Sequence, residues 1–161
     1  MTQEEFQLDE TDRGILQLLQ HDARHYTTGE IGEQVGVSNS TVSTRIADLE
    51  AAGIIRGYTV LIDYEEAGVN PKQLLVCTAE ASERDRLARE AIEVSNVVEA
   101  RTVLAGTRNV HVTVVGRSVS ELAETADSLE ALGLTIVDAG LVRTEYHNPF
   151  DHFGTDAVDA E

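Results

Sequence analysis

The sequence predicts an α+β protein with an N-terminal winged helix-turn-helix domain and a C-terminal ferredoxin-like βαββαβ domain. Three observations predict this fold class. Short helical segments separated by a glycine-containing turn occupy the first third of the chain. Strand and helix patterns alternate in the second half, and helix breakers lie between these two parts of the chain. The chain has 161 residues, of which 42% are hydrophobic. That is enough for one large core or two small ones.

The first 60 residues have the pattern of three helices followed by a short hairpin. The residues placed to cap these helices are Asp9, Thr27 or Thr28, and Ser38. Val42, Ile46 and Leu49 follow one another at i, i+4 and i+7 along the third helix, which Gly53 ends. Two short helices joined by a glycine-containing turn, after a supporting helix, are typical of a helix-turn-helix.

A strand-like segment follows the three helices. Residues 54–62 are rich in β-branched and aromatic residues, and Gly57 interrupts them where a wing would turn. We therefore assign residues 1–62 to a winged helix-turn-helix domain that includes a linker strand.

The second half alternates between strands and helices. Residues 63–73 are predicted to be a connector, because Gly68 and Asn70-Pro71 interrupt regular structure. Strands are predicted over 74–81, 97–104, 109–115 and 134–143, and helices over 83–95 and 118–132. Ser82 is expected to cap the first of these helices, with Ile92 on its inner side, and Ser118 the second. Residues 74–145 thus have the βαββαβ order, and residues 146–161 form an acidic tail without periodicity.

The charge balance is strongly acidic. Twenty-nine acidic residues against twelve basic ones give a net charge of −17, and Lys72 is the only lysine. One interpretation is adaptation to a salt-rich, halophilic cell interior, where a Debye length of about 3 Å at 1 M salt removes long-range repulsion. The other is an ordinary acidic cytosolic protein. Under the first interpretation, net charge does not exclude binding to anionic DNA.

Several function classes are not predicted. No apolar run approaches the roughly 20 residues of a membrane span, and the acidic N-terminus lacks a signal sequence, so we expect a soluble, cytoplasmic protein without membrane contact. The single Cys77 excludes an intramolecular disulfide framework and a cysteine-based zinc site. His147, Asp151 and His152 are too loosely placed to predict a metal site. No catalytic motif is present, so neither an enzyme nor a cofactor is predicted.

A long series of residues at fixed spacing carries a family resemblance. It comprises Leu8-Asp9, Asp12-Arg13, Ile15-Leu16, Asp22-Ala23-Arg24, Glu30-Ile31-Gly32, Val35-Gly36-Val37-Ser38, Thr41-Val42, Arg45-Ile46, Leu49-Glu50, Gly53-Ile54-Ile55 and Gly57-Tyr58. With these residues the chain closely resembles the Lrp/AsnC (feast/famine) family of bacterial and archaeal transcription regulators. The second half resembles that family's effector-binding RAM domain, and the resemblance covers residues 8–145.

The resemblance implies a winged helix-turn-helix that binds double-stranded DNA as a homodimer. It also implies a RAM domain that dimerises through its sheets and often assembles into tetramers or octamers. Small effectors, typically amino acids, bind the family's proteins near the turn that is formed here by Gly106, Thr107, Arg108 and Asn109. The family usually has Asp where this chain has Asn109. A missing carboxylate removes a partner for an amino acid's ammonium group, so weak or no binding of neutral amino acids is expected.

The predicted DNA-binding residues lie on the third helix and at the start of the wing. They are Ser38, Asn39, Ser40, Thr41, Ser43, Thr44, Arg45 and Arg56. Hydroxyl and amide side chains can bond phosphates and base edges, but the outward face has no arginine to contact guanine, so readout of DNA shape is expected. Two roles are open for Arg45: a phosphate contact, or an ion pair with Asp12 that fixes the third helix to the first.

The sequence therefore predicts a sequence-specific transcriptional regulator. Two other hypotheses are a metabolite-sensing RAM protein with weak or non-specific DNA binding, and a structural protein that coats DNA. The scarcity of basic residues on the third helix favours the sensor, whereas the intact motif over residues 8–58 favours the regulator.

Overall fold

The computed structural model describes residues 6–104 and 106–150. The chain separates into two compact units. The first is built on the residues up to Val60 together with the segment from Tyr146, and the second comprises Leu61–Glu145. No helix in the described part of the chain is long and apolar enough to cross a membrane.

Three helices form the first unit, as predicted. They are α1 (Glu10–Asp22), α2 (Thr28–Val35) and α3 (Asn39–Ala51). The predicted caps are confirmed, with Thr27 rather than Thr28 at the second position: the side chains of Asp9, Thr27 and Ser38 each accept a hydrogen bond from a backbone N–H of the first turn. The core of the unit is formed by Ile15, Leu16, Leu18, Ile31, Val42 and Leu49.

The predicted wing hairpin and linker strand do not form. Residues 54–62 contain no strand in the structure, so this prediction was wrong. A strand needs a hydrogen-bonded neighbour, and the four strands of the described sheet pair only with one another. Gly57, at φ +152°, also interrupts the extended path. The segment leaves Tyr58, Val60, Leu61 and Ile62 more than half exposed.

The second unit has the predicted βαββαβ order. Its elements are β1 (Lys72–Thr78), α4 (Arg84–Ala91), β2 (Val97–Thr102), β3 (Val110–Val115), α5 (Val119–Ala131) and β4 (Thr135–Leu141). The strands lie in the order β2-β3-β1-β4, and all neighbours are antiparallel. This is the split βαβ arrangement of a ferredoxin-like fold, and the predicted fold class is confirmed.

Three local predictions in this unit are corrected. The helix predicted over 83–95 spans only Arg84–Ala91, and its N-cap is Glu83, without a side-chain cap bond, rather than Ser82. Ile92 lies beyond the end of the helix and is 43% exposed instead of inward. The predicted cap of α5 is confirmed, because Ser118 Oγ accepts a hydrogen bond from Glu121 N at 3.2 Å.

The helices α4 and α5 pack on one face of the sheet. Leu75, Val112 and Val114 share a core with Leu87 of α4 and Leu129 of α5. Successive side chains of a strand point to opposite faces. Leu74, Val76, His111 and Thr113 therefore lie on the other face, here called the open face, which no described helix of this unit covers.

Candidate functional site

The N-terminus of α3 is organised by a cluster of hydroxyl groups. Ser38 Oγ accepts a hydrogen bond from Thr41 N at 3.2 Å, and lies 2.9 Å from Ser40 Oγ and 2.8 Å from Thr41 Oγ1. Asn39, the first residue of the helix, is exposed beside them. The partial positive charge of a helix N-terminus favours anions such as phosphate.

The exposed face of α3 is polar and made of small side chains. Ser43 Oγ donates to Asn39 O at 3.1 Å, and Thr44 Oγ1 donates to Ser40 O at 3.0 Å. Both residues are exposed, whereas Val42 is fully buried on the opposite side. Because each hydroxyl proton is taken up within the helix, the oxygens are left as acceptors at the surface.

Arg45 is paired with carboxylates of the first helix region. Its Nη2 atom lies 2.9 Å from Asp9 Oδ2, and its Nη1 atom lies 3.4 Å from Asp12 Oδ1. Asp12 is only 1% exposed. Of the two roles left open by the sequence, the structure shows the ion pair, which fixes α3 to α1. A hydrogen bond from the backbone N–H of Asp12, aided by the nearby Arg45, lowers the pKa of Asp9.

Three arginines of the first unit are exposed and could contact phosphate groups. Arg13, Arg24 and Arg56 are exposed, and none has an ion-pair partner among the residues that the structure describes. Unpaired guanidinium groups are suited to phosphate oxygens. Arg56 was predicted for this role. Arg13 was not predicted for this role; Asp9, four residues before it, is paired with Arg45 in the fold.

The turn before β3 has one buried and two exposed side chains. Gly106 has φ +87°, and Thr107 and Arg108 are exposed. Ala105, which the sequence places in the same turn, lies outside the described residues. Arg108 Nη1 lies 4.0 Å from Asp138 Oδ2, at the limit of an ion pair.

The side chain of Asn109 is bonded within the fold. It is 7% exposed; Oδ1 accepts from Ala79 N at 2.9 Å, and Nδ2 donates to Ala79 O at 2.8 Å. Both ends of the amide are thus bound to the backbone. The geometry gives Asn109 a structural role and leaves Thr107 and Arg108 as the side chains that a ligand could reach.

Metal-binding groups are not assembled in the described part of the chain. There, no three His, Cys, Asp or Glu residues are grouped to hold an ion. Asp151 and His152, the other two members of the group that contains His147, lie outside the described residues.

Comparisons with known proteins agree with this arrangement. Residues 8–56 match the winged helix-turn-helix DNA-binding family. An uncharacterized HTH-type transcriptional regulator of Pyrococcus abyssi is 32% identical over 116 residues, which are 72% of each chain. The HTH-type transcriptional regulator LrpA of Pyrococcus horikoshii is 43% identical over 67 residues, 42% of each chain.

Solved structures of other proteins have a similar fold. A Neisseria meningitidis transcriptional regulator, crystallised as a complex with L-Met, matches with a TM-score of 0.70 at 22% identity, over 89% of this chain and 94% of the other. The three capped helices and these relatives show that the chain belongs to the HTH-type transcriptional regulators, and its first unit is similar to that of an LrpA regulator.

Proposed function

We propose that the protein is a sequence-specific DNA-binding regulator in which residues 1–62 bind DNA and residues 74–145 dimerise and sense a ligand. The observation that carries the proposal is the exposed face of α3. Its polar residues Asn39, Ser40, Ser43 and Thr44 project from a helix that Arg45 and the core hold firmly in place. An α-helix with small exposed side chains fits the major groove, which is about 12 Å wide.

Specificity and affinity are supplied by different residues. The hydroxyl oxygens on α3 accept hydrogen bonds, and they are therefore complementary to the amino groups of adenine and cytosine in the major groove. Arg56, Arg13 and Arg24 supply cations for the phosphates. Because no arginine on this face contacts guanine, DNA shape contributes to site choice.

Dimerisation involves surfaces left apolar in the single chain. On the open face Leu74, Val76 and His111 are only partly covered, and a second copy would complete their burial. The segment that includes Tyr58 and Val60 has exposed apolar side chains and pairs with no strand of the described sheet, so a second copy could supply the neighbour that a linker strand needs. Two α3 helices held about one helical turn of DNA apart would then bind two half-sites.

Ligand sensing is assigned to the turn at Gly106. The positive charge of Arg108 and the exposed Thr107 favour a ligand with an anionic or amide group. The related Neisseria regulator binds L-Met, but the amide of Asn109 is already bound to Ala79 here. We therefore expect calorimetric titration to show weaker than micromolar binding of neutral amino acids; micromolar binding of methionine or leucine would contradict this.

The surface is adapted to high salt. The chain has twenty-nine acidic residues and only twelve basic ones, of which one is a lysine. Screening at molar salt removes the repulsion that this excess creates, and it also permits approach to DNA.

Selection of genomic fragments in molar KCl tests the proposed function. A regulator enriches a small set of fragments with a shared motif. The metabolite-sensing alternative is favoured by the lack of an unpaired arginine on α3. A sensor of this kind would not enrich any DNA fragment, but a ligand would still shift its melting temperature. A DNA-coating protein would retain all fragments equally.

A further inference from the structure

Tyr58 is hydrogen-bonded to the end of α3. Its hydroxyl donates to Oε1 of Glu50, eight residues earlier in the chain, at 2.9 Å. The tyrosine is only partly covered, since it is 55% exposed. This partial burial and the hydrogen bond to Glu50 raise the pKa of Tyr58, so its hydroxyl keeps the proton and remains a donor at neutral pH.

The chain between α3 and Tyr58 is also bound at its other end. Ile55 N donates to Leu49 O at 3.2 Å, and the side chain of Ile55 packs against the core of the first unit. Arg56 and Gly57 therefore lie between two anchors, which are the backbone bond at Ile55 and the side-chain bond that follows them.

The two residues between these anchors are not fixed by packing or by a backbone preference. Gly57 has φ +152°, in a region that glycine adopts far more readily than other residues do. A side chain at this position would contact none of the described atoms within 4 Å. Arg56 is exposed and has no ion-pair partner among the described residues. The hydrogen bond of Tyr58 is thus the second constraint on the direction of the chain at Arg56.

From this arrangement we infer that Tyr58, bound to Glu50, is a positioning residue that holds the guanidinium group of Arg56 where it contacts a DNA phosphate. The inference rests on the proposed DNA-binding function and deepens it. An arginine on a segment that is bound at both ends loses less conformational freedom when it binds. Without the hydroxyl, Arg56 keeps its charge, but the phosphate contact is populated less.

The salt dependence of DNA binding tests this role, because it counts the phosphates that cations neutralise. The probe is a fluorescently labelled duplex of mixed sequence, since phosphate contacts form whether or not the protein selects a sequence. Tyr58→Phe removes no charge, so it can change the slope of log K against log salt only through a charged neighbour. We expect the negative slope to become shallower by up to about 0.9, the change expected for Arg56→Gln.

Further variants identify the charged neighbour and the acceptor of the hydrogen bond. The double variant Arg56→Gln/Tyr58→Phe should have the slope of Arg56→Gln alone, because both changes remove the same contact. Glu50→Gln and Glu50→Ala remove the same charge, but only glutamine keeps an oxygen that can accept from Tyr58. Glu50→Gln should therefore have the steeper slope of the two. Tyr64→Phe, whose ring would still face Lys72, is the control and should keep the parent's slope.

Trypsin tests the anchor in the absence of DNA. The protease cleaves after arginine, and cleavage between Arg56 and Gly57 requires this segment to open locally. Loss of one hydrogen bond should make this cut about three- to tenfold faster in Tyr58→Phe. Cleavage after Arg143, an exposed arginine of the second unit, should keep the parent's rate.

The outcomes separate this inference from the proposed function. The positioning role would be overturned by a parent-like slope in Tyr58→Phe, by slope changes that add in the double variant, by equal slopes for the two Glu50 variants, or by unchanged cleavage after Arg56. A parent protein that does not bind the duplex would overturn both the inference and the proposed function. A parent that binds the duplex but enriches no genomic fragment would contradict sequence selection alone.

Discussion

The side-chain amide of Asn109 bonds both backbone groups of Ala79, thirty residues earlier in the chain. The distances are 2.9 Å from Ala79 N to Oδ1 and 2.8 Å from Nδ2 to Ala79 O. The pair ties the start of β3 to the segment that follows β1. An amide suits this place because it offers one donor and one acceptor, which a carboxylate cannot do while it is ionised.

Asn109→Asp is therefore expected to destabilise the second unit. One carboxylate oxygen would face Ala79 O without a proton between them, at a cost of about 1–3 kcal/mol for a buried unsatisfied group. Urea unfolding measures the change. Thr107→Asp places the same charge on an exposed residue of the turn and should leave the free energy of unfolding within about 0.5 kcal/mol of the parent. Equal stability of the two variants would contradict the structural role of Asn109.

Arg45→Gln should destabilise the first unit by about 1.5–3 kcal/mol, because it removes a charged hydrogen-bond partner from the carboxylate of the buried Asp12. The matched control is Arg13→Gln, which removes an arginine that has no ion pair among the described residues. Chemical unfolding of both variants separates them. If Arg13→Gln is as destabilising as Arg45→Gln, the ion pair with Asp12 is not what holds α3.

Ser43→Glu is expected to abolish DNA binding. The new carboxylate would lie on the exposed face of α3, opposite phosphates and acceptor groups of the bases. The control is Ser128→Glu on α5, an exposed serine that likewise donates to the carbonyl one turn back, at 2.8 Å to Glu124 O. Gel shifts measure binding, and circular dichroism should be unchanged for both. Parent-like binding by Ser43→Glu would show that this face does not enter the groove.

Arg56→Gln should weaken binding to all DNA sequences alike. Removal of one phosphate contact reduces the steepness of the fall of log K with log salt by about 0.9, which makes the negative slope shallower. Fluorescence anisotropy over a range of KCl concentrations gives the slope. Arg143→Gln, an exposed arginine of the second unit, serves as the control and should keep the parent's slope. An unchanged slope for Arg56→Gln would remove this residue from the interface.

Thermal melts at 0.1 M and 3 M KCl test the adaptation to salt. Because repulsion among the excess carboxylates is screened at the higher concentration, the melting temperature should rise with salt. A melting temperature that is equal or higher at 0.1 M would indicate an ordinary acidic protein.

Most helix caps and the order of the strands and helices could be predicted from the sequence, because local interactions determine them. Asp9, Ser38 and Ser118 were identified as caps, and Thr27 as one of two candidates, because a cap acts on the backbone two or three residues away. The prediction of Ser82 as a cap was wrong, since Glu83 takes that position. The order of strands and helices followed from hydrophobic periodicity for the same reason.

Features that depend on distant partners could not be predicted. Residues 54–62 are of types that favour strands, but no strand among the described residues pairs with them, so their pattern predicted a strand that does not form there. The role of Asn109 depends on Ala79, and that of Arg45 on Asp9 and Asp12, which only the folded chain brings together.

The central claim is that α3 recognises a DNA sequence. Its most direct test is the ratio of dissociation constants for a selected genomic site and for the same site with its bases scrambled, measured in molar KCl. A regulator should bind the selected site at least about a thousandfold more tightly, and Ser43→Glu should abolish the preference. A ratio near one for the parent protein would contradict sequence-specific regulation.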